Sequence, residues 1–185
     1  VSTLTIELAD EDPIEIPGKI FSKIGLGGGI DSQYVLPAGS YTEDEQELAW
    51  KDGSLRLNAN PSSGQVVSDA RFEGFMVAGA DETVEIGEIT FDIDTRPGTS
   101  GIYVGDFNMR MESMLVSGPA PVTLGPMNIA STTTEVGDKL DSDLSMDFEI
   151  PNAPMLGDVR FDMQMAVLGA DAVALKNLSD TANTL

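Results

Sequence analysis

Along most of the chain, apolar and polar residues alternate one for one. Thr3-Leu4-Thr5-Ile6-Glu7-Leu8 opens the pattern, and Glu88-Ile89-Thr90-Phe91-Asp92-Ile93-Asp94 repeats it. It returns at Asp106–Glu112 and Leu144–Ile150, and runs longest through Val159-Arg160-Phe161-Asp162-Met163-Gln164-Met165-Ala166-Val167. Successive side chains of a strand point to opposite faces. This period therefore predicts long antiparallel strands with one apolar face and one face in water. Asp, Glu, Arg and Gln hold the wet face throughout.

Turn residues punctuate these strands. Lys51-Asp52-Gly53-Ser54 carries the Asp-Gly of a tight turn and predicts a hairpin joining Glu47–Lys51 to Ser54–Ala59. Ala78-Gly79-Ala80-Asp81 separates Arg71–Val77 from Thr83–Ile86. Arg96-Pro97-Gly98-Thr99, Ser117-Gly118-Pro119-Ala120 and Pro151-Asn152-Ala153-Pro154 break the later strands. About ten to twelve strands follow from this punctuation. A weak repeat of glycine, usually an acidic residue, and then an apolar-polar-apolar run starts at Gly87, Gly105, Gly125 and Gly157, at intervals of 18, 20 and 32 residues. It reads as a hairpin repeated along a meander, too irregular for a propeller or solenoid.

Helix is scarce. Pro17–Ile24 fits a turn of helix or a strand, and a short helix is predicted near Leu178 behind Asn177 as cap. That tail stops in mid-pattern at Leu185, as in an internal section of a longer protein. The predicted fold is all-β: one domain over residues 1–185, an antiparallel meander curled into a sandwich-like or half-barrel body.

Composition narrows the chemistry. The chain has no cysteine, which removes disulfides and thiolate chemistry, and no histidine, the usual general base and zinc ligand. Ser-His-Asp, Cys-His and HExxH sites are excluded. The charge of -21, from 31 acidic and 10 basic residues, repels phosphate backbones and anionic lipid, so nucleic acid is not an expected partner. The acidity suits solubility in a salty, marine or halotolerant habitat. No apolar stretch is long enough for a transmembrane helix.

Candidate sites are few. Gly25-Leu26-Gly27-Gly28-Gly29 lacks the lysine and following helix of a phosphate loop, and reads as a flexible or bulged connection. The acidic clusters Asp10-Glu11-Asp12, Glu43-Asp44-Glu45 and Asp138/Asp141/Asp143 match no EF-hand pattern. The last of them is the weak candidate for a metal; no metal or cofactor is otherwise expected. Paired carboxylates remain conceivable for hydrolysis, but each acid falls on a wet strand face where its pKa stays ordinary. Trp50 ends a strand at a turn, where it is expected to plug the end of the sheet. Phe107, Met109, Met111, Met146, Phe148, Phe161, Met163 and Met165 share apolar faces. They predict either an adaptable core or a deformable groove for a lipid or hydrophobic peptide.

Three segments resemble a known family. Gly28-Gly29-Ile30 with Val35-Leu36-Pro37-Ala38-Gly39 and Leu48-Ala49-Trp50-Lys51-Asp52-Gly53, then Gly101-Ile102-Tyr103-Val104-Gly105-Asp106, then Val173-Ala174-Leu175-Lys176-Asn177-Leu178-Ser179 are similar to the DUF945 (YdgA-like) proteins of Gram-negative bacteria. Ser179 stands where the family has aspartate. The resemblance implies a β-rich periplasmic section of a membrane-anchored envelope protein, and it supplies no catalytic residues. The expected function is a non-enzymatic structural or protein-interaction module of the envelope, partnered by another envelope protein. The alternative is a carrier of a lipid or other hydrophobic ligand.

Overall fold

The computed structural model describes residues 2–6, 14–43, 46–119, 121–153 and 155–182. Glu7 and Leu8, the acidic run Asp10-Glu11-Asp12, Asp44 and Glu45, Ala120, Pro154 and the last three residues lie outside the described residues. The alternating segments form strands, in chain order β1 (Ser2–Ile6), β2 (Ile14–Ile24), β3 (Ile30–Leu36), β4 (Gly39–Glu43), β5 (Gln46–Trp50), β6 (Gly53–Asn60), β7 (Gln65–Phe72) and β8 (Phe75–Ala78). There follow β9 (Thr83–Ile86), β10 (Ile89–Pro97), β11 (Tyr103–Met111), β12 (Met114–Ser117), β13 (Val122–Leu124), β14 (Met127–Val136), β15 (Lys139–Ala153) and β16 (Gly157–Asp171). Among the described residues one helix, α1 (Ala172–Ala182), follows β16.

The strands make two antiparallel sheets, and neither closes into a barrel. The large sheet has ten strands in the order β1-β2-β3-β6-β7-β10-β11-β14-β15-β16, and the small one has six in the order β13-β12-β9-β8-β5-β4. The all-β, antiparallel expectation holds, and Pro17–Ile24 is strand. The strand count of sixteen among the described residues exceeds the ten to twelve expected, and the reason is a seam. Six times the chain leaves one sheet for the other across two residues: Pro37-Ala38, Lys51-Asp52, Glu73-Gly74, Gly87-Glu88, Glu112-Ser113 and Gly125-Pro126.

These six interruptions line up. On the large-sheet side Leu36, Gly53, Phe72, Ile89, Met111 and Met127 stand opposite one another in turn, and on the small-sheet side Gly39, Trp50, Phe75, Ile86, Met114 and Leu124 do so. Backbone bonds cross between the interruptions, from Lys51 N to Gly74 O (2.9 Å), Glu73 N to Asp52 O (2.9 Å) and Gly87 N to Ser113 O (2.9 Å). The peptide groups are thus satisfied where the ladders stop. Gly74 holds φ at 147°, and a Cβ there would stand 2.8 Å from Ile86 O. Only glycine suits that backbone.

The seam corrects one sequence expectation. Lys51-Asp52 does not reverse the chain: β5 pairs with β4 and β8, whereas β6 pairs with β3 and β7. The Asp-Gly step instead redirects one run from the small sheet into the large one. Asp52 is occupied by accepting a bond from Ala38 N (2.7 Å) across the seam. The glycine repeat also resolves into different roles. Gly87 and Gly125 lie on the seam, Gly157 follows the β15–β16 turn, and Gly105 lies inside β11. The turns at 79–82 and 98–102 do reverse the chain as expected, and β12 pairs antiparallel with β13.

Burial concentrates at two places. Leu36, Trp50, Ala70 and Met111 are buried in and beside the seam rows, and Val104, Leu140 and Ala172 form a second cluster. That second cluster explains the helix. Ala172 is wholly buried, and Asp171 accepts a bond from Ala174 N (2.9 Å), which is an N-cap. The helix therefore begins at Ala172 and not near Leu178, because Asp171 and not Asn177 supplies the cap. The Ala174 bond, then the charge of Lys139 3.5 Å away, hold the Asp171 carboxyl below its usual range against a partial opposing push from burial.

Candidate functional site

The pairing registers carry the apolar face across the large sheet as continuous rows. One row runs Leu36, Gly53, Phe72, Ile89, Met111, Met127, Phe148, Phe161. The next runs Tyr34, Leu55, Ala70, Phe91, Met109, Ile129, Met146, Met163, and a third ends in Ile93, Phe107, Ser131, Leu144, Met165. Directly opposed residues share a face, so one slip in any register would have sent a strand's apolar set into water. On the other face Arg71 pairs with Glu88 (2.6 Å), and Arg160 lies among Asp147, Glu149 and Asp162.

Cover over this apolar face is uneven. Near the seam it is buried or half-buried; towards β16 it is open. Phe161 is 47% exposed, Met163 43%, Met165 53% and Val167 51%. β16 is the last strand of the sheet, paired with β15 on one side and with no described strand on the other. Beyond Val167 its register shifts, and Gly169 N donates to Asp141 Oδ1 (2.7 Å). Val173, Leu175 and Leu178 of α1 are exposed as well. Phe161, Met163, Met165, Val167 and Leu168 are all exposed on the one strand β16, so its apolar surface is not covered by the described chain.

The model of one family, described as a bacterial protein of unknown function (DUF945), matches residues 3–185. The chain belongs to the DUF945 family. No curated protein and no solved structure matches it.

Within this DUF945 domain, the eight apolar residues singled out from the sequence do fall on one face of the large sheet, with β14 between β11 and β15. Phe107, Met109 and Met111 lie on β11, Met146 and Phe148 on β15, and Phe161, Met163 and Met165 on β16. They divide by access. Met111, only 7% exposed, is core at the seam; the β16 residues are surface. Phe148 and Phe161 stack with centroids 4.7 Å apart, tying the open edge to its neighbour. The acidic candidates do not converge: Asp138 lies in the β14–β15 turn, Asp141 caps the Gly169 amide, and Asp143 is opposite Ala166. No group of three or more metal-ligating residues occurs among the described residues of this DUF945 chain. Gly25–Gly29 is a hairpin connection, bridged by Gly25 N to Gly29 O (2.8 Å), as expected.

One acid departs from the expected facing. Glu135 shares the face of Ile129, Ser131 and Thr133 on β14, so it sits at the end of an apolar row. It accepts bonds from Thr99 N and from Ser100 N (2.9 Å) in the β10–β11 connection. Bonding by the Ser100 side chain leads in holding its carboxyl below the usual range, opposed in part by burial and aided by the Ser100 and Thr99 amides. A lowered folded-state pKa means stability present above the ordinary value of 4.5 and lost as pH falls below it. Melting temperatures followed from neutral to acid pH should fall more steeply for wild type than for Glu135→Gln. Parallel curves would show that the Glu135 contacts add no pH-dependent stability.

Proposed function

We propose that this DUF945 domain is a non-enzymatic module of the bacterial cell envelope that holds another polypeptide on its open sheet edge. The observation that carries the reading is β16. It is a 15-residue edge strand whose apolar face, carrying Phe161, Met163, Met165 and Val167, remains exposed. A long apolar edge is a template for strand addition, and proteins that leave one bare aggregate unless it has a partner. The absence of histidine supports the non-enzymatic part of the reading. So do Glu135 and Asp171, whose shifts favour the ionised form and not a general acid.

A second reading is favoured by a different observation. The Met and Phe rows stay unbroken from the seam to the edge, a surface soft enough to receive acyl chains. One experiment addresses both. Cross-linking in envelope material should join the wild-type domain to a polypeptide through β16. Met163→Lys with Met165→Lys should abolish that link while changing stability by less than about 1 kcal/mol, because both sites are exposed. Native mass spectrometry of the same material decides the alternative: a lipid adduct with no polypeptide link would replace the first reading by the carrier.

A further inference from the structure

We infer that the occupant of the β16 edge is β16 of a second copy, paired antiparallel about a two-fold axis through Gln164. The inference rests on the proposed role of that edge and names its partner. A two-fold interface must be self-complementary, so residue i meets residue j and j meets i. The segment 161–167 meets this condition about Gln164 on both faces. On the apolar face Phe161 comes opposite Val167 and Met163 opposite Met165, so each exposed side chain gains an apolar neighbour. On the polar face Asp162 comes opposite Ala166, and Gln164 meets Gln164 across the axis, where each amide can both donate and accept.

Charge selects this register over its neighbours. With the axis at Gln164, Asp162 has Gln164 and Leu168 at its diagonal positions and Arg160 has Ala166 and Ala170, so no like charges approach. An axis at Met163 would set the two Asp162 carboxylates diagonally, beside each other. An axis at Met165 would oppose Phe161 to Gly169, which lies in the register shift of the strand with φ at 67°. Pairing therefore ends before the shift, and the seven residues 161–167 form the ladder. Two sheets of ten strands would join into one, with the Met and Phe rows running on through the axis. The opposing term is global: each chain carries -21, so association should strengthen as salt screens that repulsion.

The chain has no cysteine, so a single introduced thiol reports its own neighbour. Directly opposed residues of antiparallel strands have Cα atoms about 4.5–5.5 Å apart, within reach of a disulfide. Under mild oxidation, Gln164→Cys should form a disulfide-linked dimer at least about tenfold faster than Asp92→Cys, an exposed control mid-sheet on β10. Light scattering on the wild-type chain, which needs no variant, should give twice the monomer mass, with the dimer fraction rising with salt. A monomer at all salt concentrations, or a Gln164→Cys rate equal to that of Asp92→Cys, would overturn the inference. Faster linkage at Met163→Cys than at Gln164→Cys would overturn the register. Linkage of Gln164→Cys in envelope material to a different polypeptide would overturn self-pairing yet leave the interaction module standing. Linkage to nothing would remove both.

Discussion

Trp50→Ala is expected to cost about 3–5 kcal/mol, the usual range for deleting a buried tryptophan. Trp50 is 6% exposed, and its indole Nε1 donates to Pro37 O at 2.9 Å. The ring stands in the small-sheet row beside the seam, between Gly39 and Phe75. Deleting it opens a cavity at the larger of the two buried regions and leaves Pro37 O without its donor. Domains rarely have more than about 5–15 kcal/mol in total, so such a loss approaches unfolding at ambient temperature. Urea denaturation followed by circular dichroism would measure it. Trp50→Phe, which keeps much of the volume but not the hydrogen bond, should cost about 1–2 kcal/mol. A loss below about 1 kcal/mol for Trp50→Ala would mean that the seam is not a core.

Gly105→Ala should be nearly as damaging, although it adds a single methyl group. Gly105 lies inside β11 with φ at 137°, and a Cβ there would stand 2.0 Å from Asp94 O and 2.9 Å from Thr95 Cα. Both atoms are backbone of β10, so no side chain can swing aside. The central strands must part, or the residue must leave a conformation that alanine resists. The expected cost is about 3 kcal/mol. Gly125→Ala is the internal control from the same sequence repeat. Its nearest neighbour would be Glu149 Cβ at 3.2 Å, a side-chain atom, and its φ is not positive. It should cost about 1 kcal/mol, and equal losses at the two glycines would refute the distinction.

That contrast shows how much of the molecule was legible before folding. Gly105 and Gly125 open the same motif of glycine, one further residue and an apolar-polar-apolar run, yet one is locked between central strands and the other sits on the seam. Asp52-Gly53 bears the strongest short-range hairpin signal in the chain and makes no hairpin. A two-residue interruption looks alike whether it reverses a strand or hands it to a second sheet, because the outcome depends on what pairs at a distance. The helix start was missed for a related reason. The alternation of β16 stops at Val167, short of Asp171, so the period does not mark where the strand gives way to helix; Ala172, buried against Val104 and Leu140, does. Glu135 could have been found from the sequence alone. It lies two residues on from Thr133 and four from Ser131, and so shares the dry parity of Met127 and Ile129.

The apolar site was half visible. Period two placed Phe107, Met109, Met146, Phe148, Phe161, Met163 and Met165 on common faces, and the registers join those faces into rows. The same alternation occurs in β10, which is flanked on both sides, and in β16, which is open on one. What the sequence by itself determined is the strand class, the facing of each strand, the family resemblance and the absence of histidine and cysteine chemistry. The tertiary structure alone decided which interruptions reverse the chain, where the two buried regions form, and that β16 is left at the edge. Alternation is a property of a strand's own neighbours in sequence, whereas edge, seam and burial belong to pairings between residues far apart along the chain.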